Sequence, residues 1–210
     1  MSFEAGLDAY QNGDLATAVR FWQSAAEQGD RRAQYNLGVL LDSGDLLVKN
    51  PWEAAMWFRK SAEQGYAPAQ FNLALVLSQG QGVTMNKAEA AYWYAEAGNL
   101  GMADAQFNLA QMYAEGEGVH KNFEVAVQWY RVAAEKGHMQ AANNLAIRYA
   151  MGEGVSRDDL QAYKWFNIAA ELGDVSAVRH RERVASELSP EQIVEAGKLA
   201  RDWLNDFNQI

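Results

Sequence analysis

Apolar residues in most of this chain recur every three or four positions, with polar residues between them. In residues 69–78, Ala69, Leu73 and Leu77 lie four positions apart, which places them on one face of a helix. Gly80-Gln81-Gly82-Val83 then interrupts the pattern. A second apolar run follows with the same helical spacing, at Ala90, Trp93, Tyr94 and Ala97. The pattern predicts two antiparallel helices joined by a short turn.

This two-helix pattern repeats every 36 residues. One alanine of the first helix recurs in five copies: Ala33, Ala69, Ala105, Ala141 and Ala177. The second helix carries a tryptophan followed by another aromatic residue: Trp57-Phe58, Trp93-Tyr94, Trp129-Tyr130 and Trp165-Phe166. A fixed period of this size predicts a solenoid, in which neighbouring units bury the apolar faces that a single unit would leave open. We therefore interpret the tryptophan pairs as core.

The two ends of the chain depart from the repeat. Residues 1–30 form a shorter unit that we expect to cap the N-terminal end, and residues 31–174 contain four units of 36 residues. Residues 175–210 then hold the C-terminal capping helices, where Arg181 replaces the recurring leucine. Ser189-Pro190-Glu191-Gln192 supplies an N-cap, a proline in the first turn and a capping-box glutamine. We expect the three segments to form one continuous solenoid domain.

The glycine-rich turns invite comparison with phosphate-binding loops. They follow helices rather than strands, lack the Gly-Lys-Ser/Thr ending and recur in every inner unit, so we interpret them as turns. Their sequences are Gly80-Gln81-Gly82-Val83, Gly116-Glu117-Gly118-Val119 and Gly152-Glu153-Gly154-Val155. The first full unit has Gly44-Asp45-Leu46-Leu47 instead.

Composition narrows the class of partner. The formal net charge of −9 argues against a general affinity for nucleic acid or for anionic membranes. The chain has no cysteine, so it has neither a disulfide framework nor a thiolate metal site. No apolar run approaches the roughly 20 residues of a membrane span. The first residues do not resemble a signal peptide, so we expect a cytoplasmic protein, or a periplasmic or secreted one if a signal has been removed.

The repeat resembles that of the Sel-one-like repeat family, a relative of the tetratricopeptide repeats. The matching pattern is Ala-x-x-Asn-Leu-Gly/Ala-x-x-Tyr/Leu-x-x-Gly-x-Gly-Val, followed by Ala-x-x-Trp-aromatic-x-x-Ala-x-x-x-Gly. It covers residues 31–173 strongly, while the shorter N-terminal unit is more similar to a plain tetratricopeptide repeat. The resemblance implies an all-α, right-handed α-α superhelix whose first helices line the concave face. It also implies a role as an adaptor or scaffold.

The candidate ligand-binding groove lies on the first helices, just before each recurring leucine. Asparagine amides there can bind the backbone of a peptide, and aromatic side chains can supply apolar anchors. The candidate residues are Tyr35, Asn36, Phe71, Asn72, Phe107, Asn108, Gln111, Asn143 and Asn144. In the alternative interpretation, the asparagines form hydrogen bonds between adjacent repeats and the aromatic residues pack between first helices.

A second candidate is the basic segment Arg179-His180-Arg181-Glu182-Arg183 in this otherwise acidic chain. Arg179 and Arg183 are four positions apart and would share one helix face. They could bind a carboxylate or phosphate at the C-terminal end of the groove. The alternative is a solvated, charged helix face.

Catalysis finds little support in the sequence. His120, His138 and His180 are far apart in the chain and lack metal-ligand spacing, and we expect no catalytic residue, metal or cofactor. The favoured function is a non-catalytic adaptor for a protein or peptide, and we expect a monomer. Two alternatives stay open. One is a hydrolase of peptidoglycan-like or β-lactam substrates; the other is a self-assembling protein whose Trp203 and Phe207 dock onto a second copy.

Overall fold

The computed structural model describes residues 2–44, 47–207 and 209. Asp45 and Leu46 of the altered glycine turn lie outside the described residues. The described part of the chain forms twelve α-helices: α1 Phe3–Gln11, α2 Leu15–Glu27, α3 Arg31–Ser43, α4 Pro51–Ala62, α5 Ala67–Gln79, α6 Lys87–Asn99, α7 Ala103–Glu115, α8 Phe123–Glu135, α9 Met139–Met151, α10 Asp159–Glu171, α11 Val175–Ala185 and α12 Pro190–Phe207. They fall into two compact units, Met1–Met102 (unit 1) and Ala103–Ile210 (unit 2). The predicted all-α fold class is confirmed.

Unit 1 consists of three helix pairs, in which α1 packs on α2, α3 on α4, and α5 on α6. Glycine allows the closest approach between paired helices. A Cβ atom on Gly38 would lie 2.5 Å from the Phe58 ring, and one on Gly6 would lie 2.5 Å from the Trp22 indole. Both rings are consequently almost completely buried.

Two of the glycine-rich turns pack against the preceding repeat. Gly82 has a φ of +71°, and a Cβ atom there would overlap the carbonyl group of Pro51. In unit 2, Gly154 has a φ of +74° and meets the backbone of Phe123 in the same way. Only glycine fits these positions, because they combine a left-handed backbone with direct backbone contact. The geometry agrees with the interpretation of these segments as turns.

In unit 2, α7 packs on α8 and α9 on α10, while α11 and α12 both pack on α10. The predicted aromatic core is present in both units, although the second member of each pair is buried more consistently. Phe58, Tyr94, Tyr130 and Phe166 are all no more than 3% exposed. Trp93 and Trp165 are also buried, whereas Trp57 and Trp129 are only half-buried.

The C-terminal helix α12 covers part of unit 2. Ser189 and Gln192 form the predicted capping box, with Gln192 N donating to Ser189 Oγ at 3.3 Å and Ser189 N donating to Gln192 Oε1 at 2.9 Å. Trp203 meets Trp165 edge to face at 5.8 Å and stacks on Phe207 at 4.9 Å. The two aromatic residues suggested for docking a second copy therefore pack within their own chain.

Candidate peptide-binding groove

An open groove of about 480 Å³ runs across the first helices of unit 2. Helix α7 supplies Phe107 and Gln111, and the start of α11 supplies Val175 and Ser176. Helix α9 lies between them and contributes Met139, Gln140, Asn143 and Asn144. The groove thus brings together four of the residues predicted from the sequence: Phe107, Gln111, Asn143 and Asn144.

One wall of the groove is aromatic. Phe107 is half-buried and stacks on the His138 imidazole, with ring centroids 4.5 Å apart. His138 is itself held in place, because Ala141 N donates to its Nδ1 at 3.2 Å and caps the start of α9. Its Nε2 lies 3.4 Å from Asp104 Oδ1. Burial lowers the pKa of His138, and the neighbouring Asp104 only partly opposes this shift.

Asn143 connects two helices of the groove. Its Nδ2 donates to Ser176 Oγ at 3.2 Å, and its Oδ1 lies 3.1 Å from His180 Nδ1. The side chain is buried, at 8% exposure. Both ends of the amide are therefore engaged by α11, as in the alternative in which asparagines link adjacent repeats.

The remaining polar groups of the groove are more accessible. Gln140 is exposed, and Gln111 and Asn144 are half-buried. Asn144 forms a hydrogen bond with the Tyr130 hydroxyl, which opposes the rise in the pKa of Tyr130 caused by burial. Gln111 and Gln140 are consequently the amides best placed to bind a peptide backbone, and sequence reasoning missed Gln140 because its position is not part of the recurring pattern.

Three candidate residues of unit 1 have partners within that unit. Tyr35 lies 5.4 Å from Tyr66, edge to face, and 6.1 Å from Phe58. Its hydroxyl forms a hydrogen bond with Asn72, while burial and Tyr66 raise the pKa of Tyr35. Phe71 packs at 5.8 Å from Tyr94. Tyr35 and Asn72 thus link α3 to α5, and they have the contacts expected of the structural alternative.

The two other asparagines are half-buried on their helices, Asn36 on α3 and Asn108 on α7. Asn108 follows Phe107 directly but is not among the residues that line the groove of unit 2. Both stay candidate ligand contacts.

A second cavity, of about 420 Å³, lies at the opposite ends of α9 and α11, and we name it the distal pocket. Ile147, Phe166 and Val184 provide apolar surface, and Arg157, Arg183 and Glu187 provide charge. Of the predicted arginine pair, Arg183 lines this pocket, whereas Arg179 is exposed on α11 outside it.

Arg157 is a pocket residue that the sequence did not single out. It follows the third Gly-x-Gly-Val turn, at the repeat position of Lys49, Met85 and Lys121, so nothing in the pattern distinguished it. Its Nε and Nη2 donate to the carboxylate of Asp159 at 3.1 Å and 2.9 Å. These bonds hold the guanidinium at the rim of the pocket and raise the pKa of Arg157.

Among the residues that the structure describes, no group of three or more His, Asp or Glu side chains is arranged to hold a metal ion. Likewise, none of the helices in the described ranges is long and apolar enough to cross a membrane.

Paired helices, glycine turns and a groove across the first helices define a helical repeat protein. The chain belongs to the Sel1 repeat family, whose model matches residues 2–30, 31–66, 67–102, 103–138 and 140–174. The match includes the N-terminal unit, for which the sequence pattern predicts a closer similarity to a tetratricopeptide repeat. Repeats of this family generally mediate contacts between proteins.

Solved structures agree with this assignment. A Sel1 repeat protein from Oxalobacter formigenes is 31% identical, with a TM-score of 0.80, over 95% of this chain and 82% of its own. A protective antigen of uropathogenic Escherichia coli strains, which displays an SLR fold, is 30% identical with a TM-score of 0.84 over 95% of this chain. This chain spans only 45% of that antigen's length. Among curated proteins, none matches the chain.

Proposed function

We propose that this protein is a non-catalytic adaptor that binds an extended peptide segment of a partner protein in the groove of unit 2. The observation that supports the proposal is the meeting of Phe107, Gln111, Asn143 and Asn144 in one open groove of about 480 Å³. The groove combines an aromatic wall with amide groups, which suits a ligand that carries both apolar side chains and a polar backbone.

The apolar and the amide residues of the groove have different roles in the proposed binding. Phe107 and Met139 offer apolar surface to a peptide side chain, and Met139 is 38% exposed. Gln111 and Gln140 can each donate to a backbone carbonyl and accept from a backbone N–H. Asn143 contributes by holding α9 against α11, so that the groove is formed before the ligand arrives. Such pre-organisation reduces the entropic cost of binding.

The proposal can be tested with a library of synthetic hexapeptides that carry fluorescein at the amino terminus and a free carboxyl terminus. Binding is measured by fluorescence anisotropy for the wild type and for the double variant Gln111→Ala, Gln140→Ala. We expect the double variant to weaken the best binders about tenfold, because each lost hydrogen bond costs about 0.5–1.5 kcal/mol.

Gln128→Ala is the matched control, since Gln128 is exposed on α8 and does not line the groove. This variant should bind like the wild type. Peptides that bind the double variant and the wild type equally well would place the binding surface elsewhere.

A further inference from the structure

The groove and the distal pocket follow the same two helices. On α9, Gln140, Asn143 and Asn144 line the groove, and Ile147 and Met151 line the distal pocket one and two turns further along. On α11, Ser176 lines the groove, and His180 and Arg183 line the pocket. The hydrogen bond between Asn143 and His180 marks the boundary between the two cavities.

The combined length of the groove and the distal pocket suits a short peptide. At about 1.5 Å per residue, the stretch of α9 from Gln140 to Met151 is about 16 Å long. An extended peptide covers that distance with about five residues. A peptide of five or six residues is therefore long enough to reach from the groove amides to the distal pocket.

The pocket has an apolar floor. Phe166 and Val184 are 2% and 8% exposed, so they form a fixed apolar surface at its base. Met151, at 64% exposure, forms a flexible apolar edge. Such a surface binds an aliphatic or aromatic side chain, and the unbranched methionine can adapt to its shape.

The charged groups of the pocket suit a monovalent anion better than a divalent one. Arg183 is exposed at the rim, and Arg157 is held by Asp159 through its Nε and Nη2, which leaves both hydrogens of Nη1 and the second hydrogen of Nη2 to donate to a ligand. Asp159 and Glu187 also line the pocket, so the formal charges of these four groups cancel. A monovalent carboxylate can approach the guanidinium groups, while a dianionic phosphate meets stronger repulsion from the two acids.

We propose that the distal pocket binds the carboxy-terminal residue of a peptide that lies in the groove. The apolar side chain of that residue packs on Ile147, Phe166 and Val184, and its terminal carboxylate pairs with Arg183. An apolar side chain and a carboxylate on the same residue distinguish the end of a chain from an internal segment. This inference rests on the proposed peptide-binding function and adds the class of ligand.

The test compares the fluorescein-labelled hexapeptide library bearing free carboxyl termini with the same library bearing terminal amides. We expect the best binders to end in Leu, Met or Phe, and we expect amidation to weaken them about 10- to 100-fold, the usual value of a charge-assisted hydrogen bond. Arg183→Gln should lower the affinity for the free acids to that for the amides without changing the amides. Met151→Gln should reduce the preference for an apolar last residue.

Two further variants test whether the effect of Arg183→Gln comes from the lost charge or from a change in structure. Arg183→Lys should restore part of the preference for the free acid, because it restores the charge without the planar fork. Lys198→Gln removes an equal charge from the exposed face of α12 and should leave both libraries unchanged. Melting curves by circular dichroism verify that each variant is folded.

The outcomes separate this inference from the function on which it rests. Peptides that bind equally well as acids and amides, or that are insensitive to Arg183→Gln, overturn the carboxy-terminal assignment. If their binding still depends on Gln111 and Gln140, the peptide-binding function stands. A library in which neither form binds at any concentration tested overturns both.

Discussion

Tyr35 in unit 1 and Phe107 in unit 2 occupy one repeat position and have ring neighbours at equivalent positions, Phe58 and Tyr66 for the first and Tyr130 and His138 for the second. The next copy in unit 2, Asn143, differs, because it bonds to α11 instead. In unit 1, this position holds the aromatic residues Tyr35 and Phe71. Tyr35 contacts Tyr66 and Asn72. In unit 2, the corresponding residues are Phe107 and Asn143, and both line the groove. Replacing an aromatic ring by a shorter amide thus leaves space beside Phe107. The comparison indicates that the residue at one repeat position and the residue in the next copy together decide whether that position links helices or lines an open groove.

The strongest test of this comparison is Asn143→Ala in unit 2 beside Asn72→Ala in unit 1. Asn143→Ala removes two hydrogen bonds to α11 and should lower the free energy of unfolding by about 1–3 kcal/mol. Asn72→Ala removes the bond to Tyr35 and should cost about 1 kcal/mol. Urea denaturation followed by circular dichroism measures both.

Asn99→Ala is the control, because Asn99 is exposed near the end of α6, and its effect should stay within about 0.5 kcal/mol. If Asn143→Ala left stability unchanged but weakened peptide binding, the asparagine would be a ligand contact rather than a link between helices.

A smaller effect on stability is expected at His138, the residue that precedes α9. His138 caps α9 through Nδ1, whereas Asp30 and Asp174 cap α3 and α11 at equivalent positions. Burial lowers the pKa of His138, so the folded state binds this proton less readily than the unfolded state. The stability that depends on neutral His138 is therefore complete above its unfolded pKa of about 6.5 and is lost as the pH falls below it.

His138→Asn retains an N-cap acceptor that does not titrate. Between pH 7 and pH 5, the wild type should lose on the order of 1 kcal/mol more than this variant, the typical contribution of an N-cap. Thermal melts of both proteins at each pH give the comparison. Parallel losses in the two proteins would assign the pH dependence to other groups.

The smallest expected effect on the free energy of unfolding concerns two buried glutamines of unit 1, Gln34 and Gln70. Gln34 Oε1 accepts a hydrogen bond from Gln64 Nε2 at 2.8 Å. In the next repeat, Gln70 is equally buried, but its Oε1 accepts no hydrogen bond from any described residue. The residue equivalent to Gln64 is Leu100, which is 59% exposed.

Leu100→Gln should therefore raise the free energy of unfolding by about 0.5–1 kcal/mol, and Gln64→Leu should lower it by a similar amount. Chemical denaturation of the two variants measures opposite shifts in the midpoint. Shifts of the same sign would mean that the glutamine pair does not stabilise the first repeat in the way its geometry indicates.

The helix pairs, the turns and the capping box at Ser189 could be predicted from the sequence, because each depends on residues close together in the chain. The partners of the groove residues could not. Asn143 bonds to residues 33 and 37 positions away, and nothing in its residue type distinguishes it from Asn144 beside it. The place of Arg157 in the distal pocket could not be predicted either, because it depends on Asp159 and on the far end of α11. Trp203 and Phe207 had the spacing of an apolar helix face, but only the structure shows that Trp203 packs on Trp165 of α10 and that Phe207 lies against Gly137.

The glycine turns have a consequence for how such a chain can change in length. Gly82 and Gly154 each lie against the backbone of a residue in the preceding repeat, so close that a Cβ atom on either glycine would overlap a carbonyl group. A duplication or deletion of 36 residues between these two glycines brings another glycine onto an equivalent backbone. A change of another length there would bring a side chain instead. Contact between repeats therefore favours changes of whole repeats in this part of the chain.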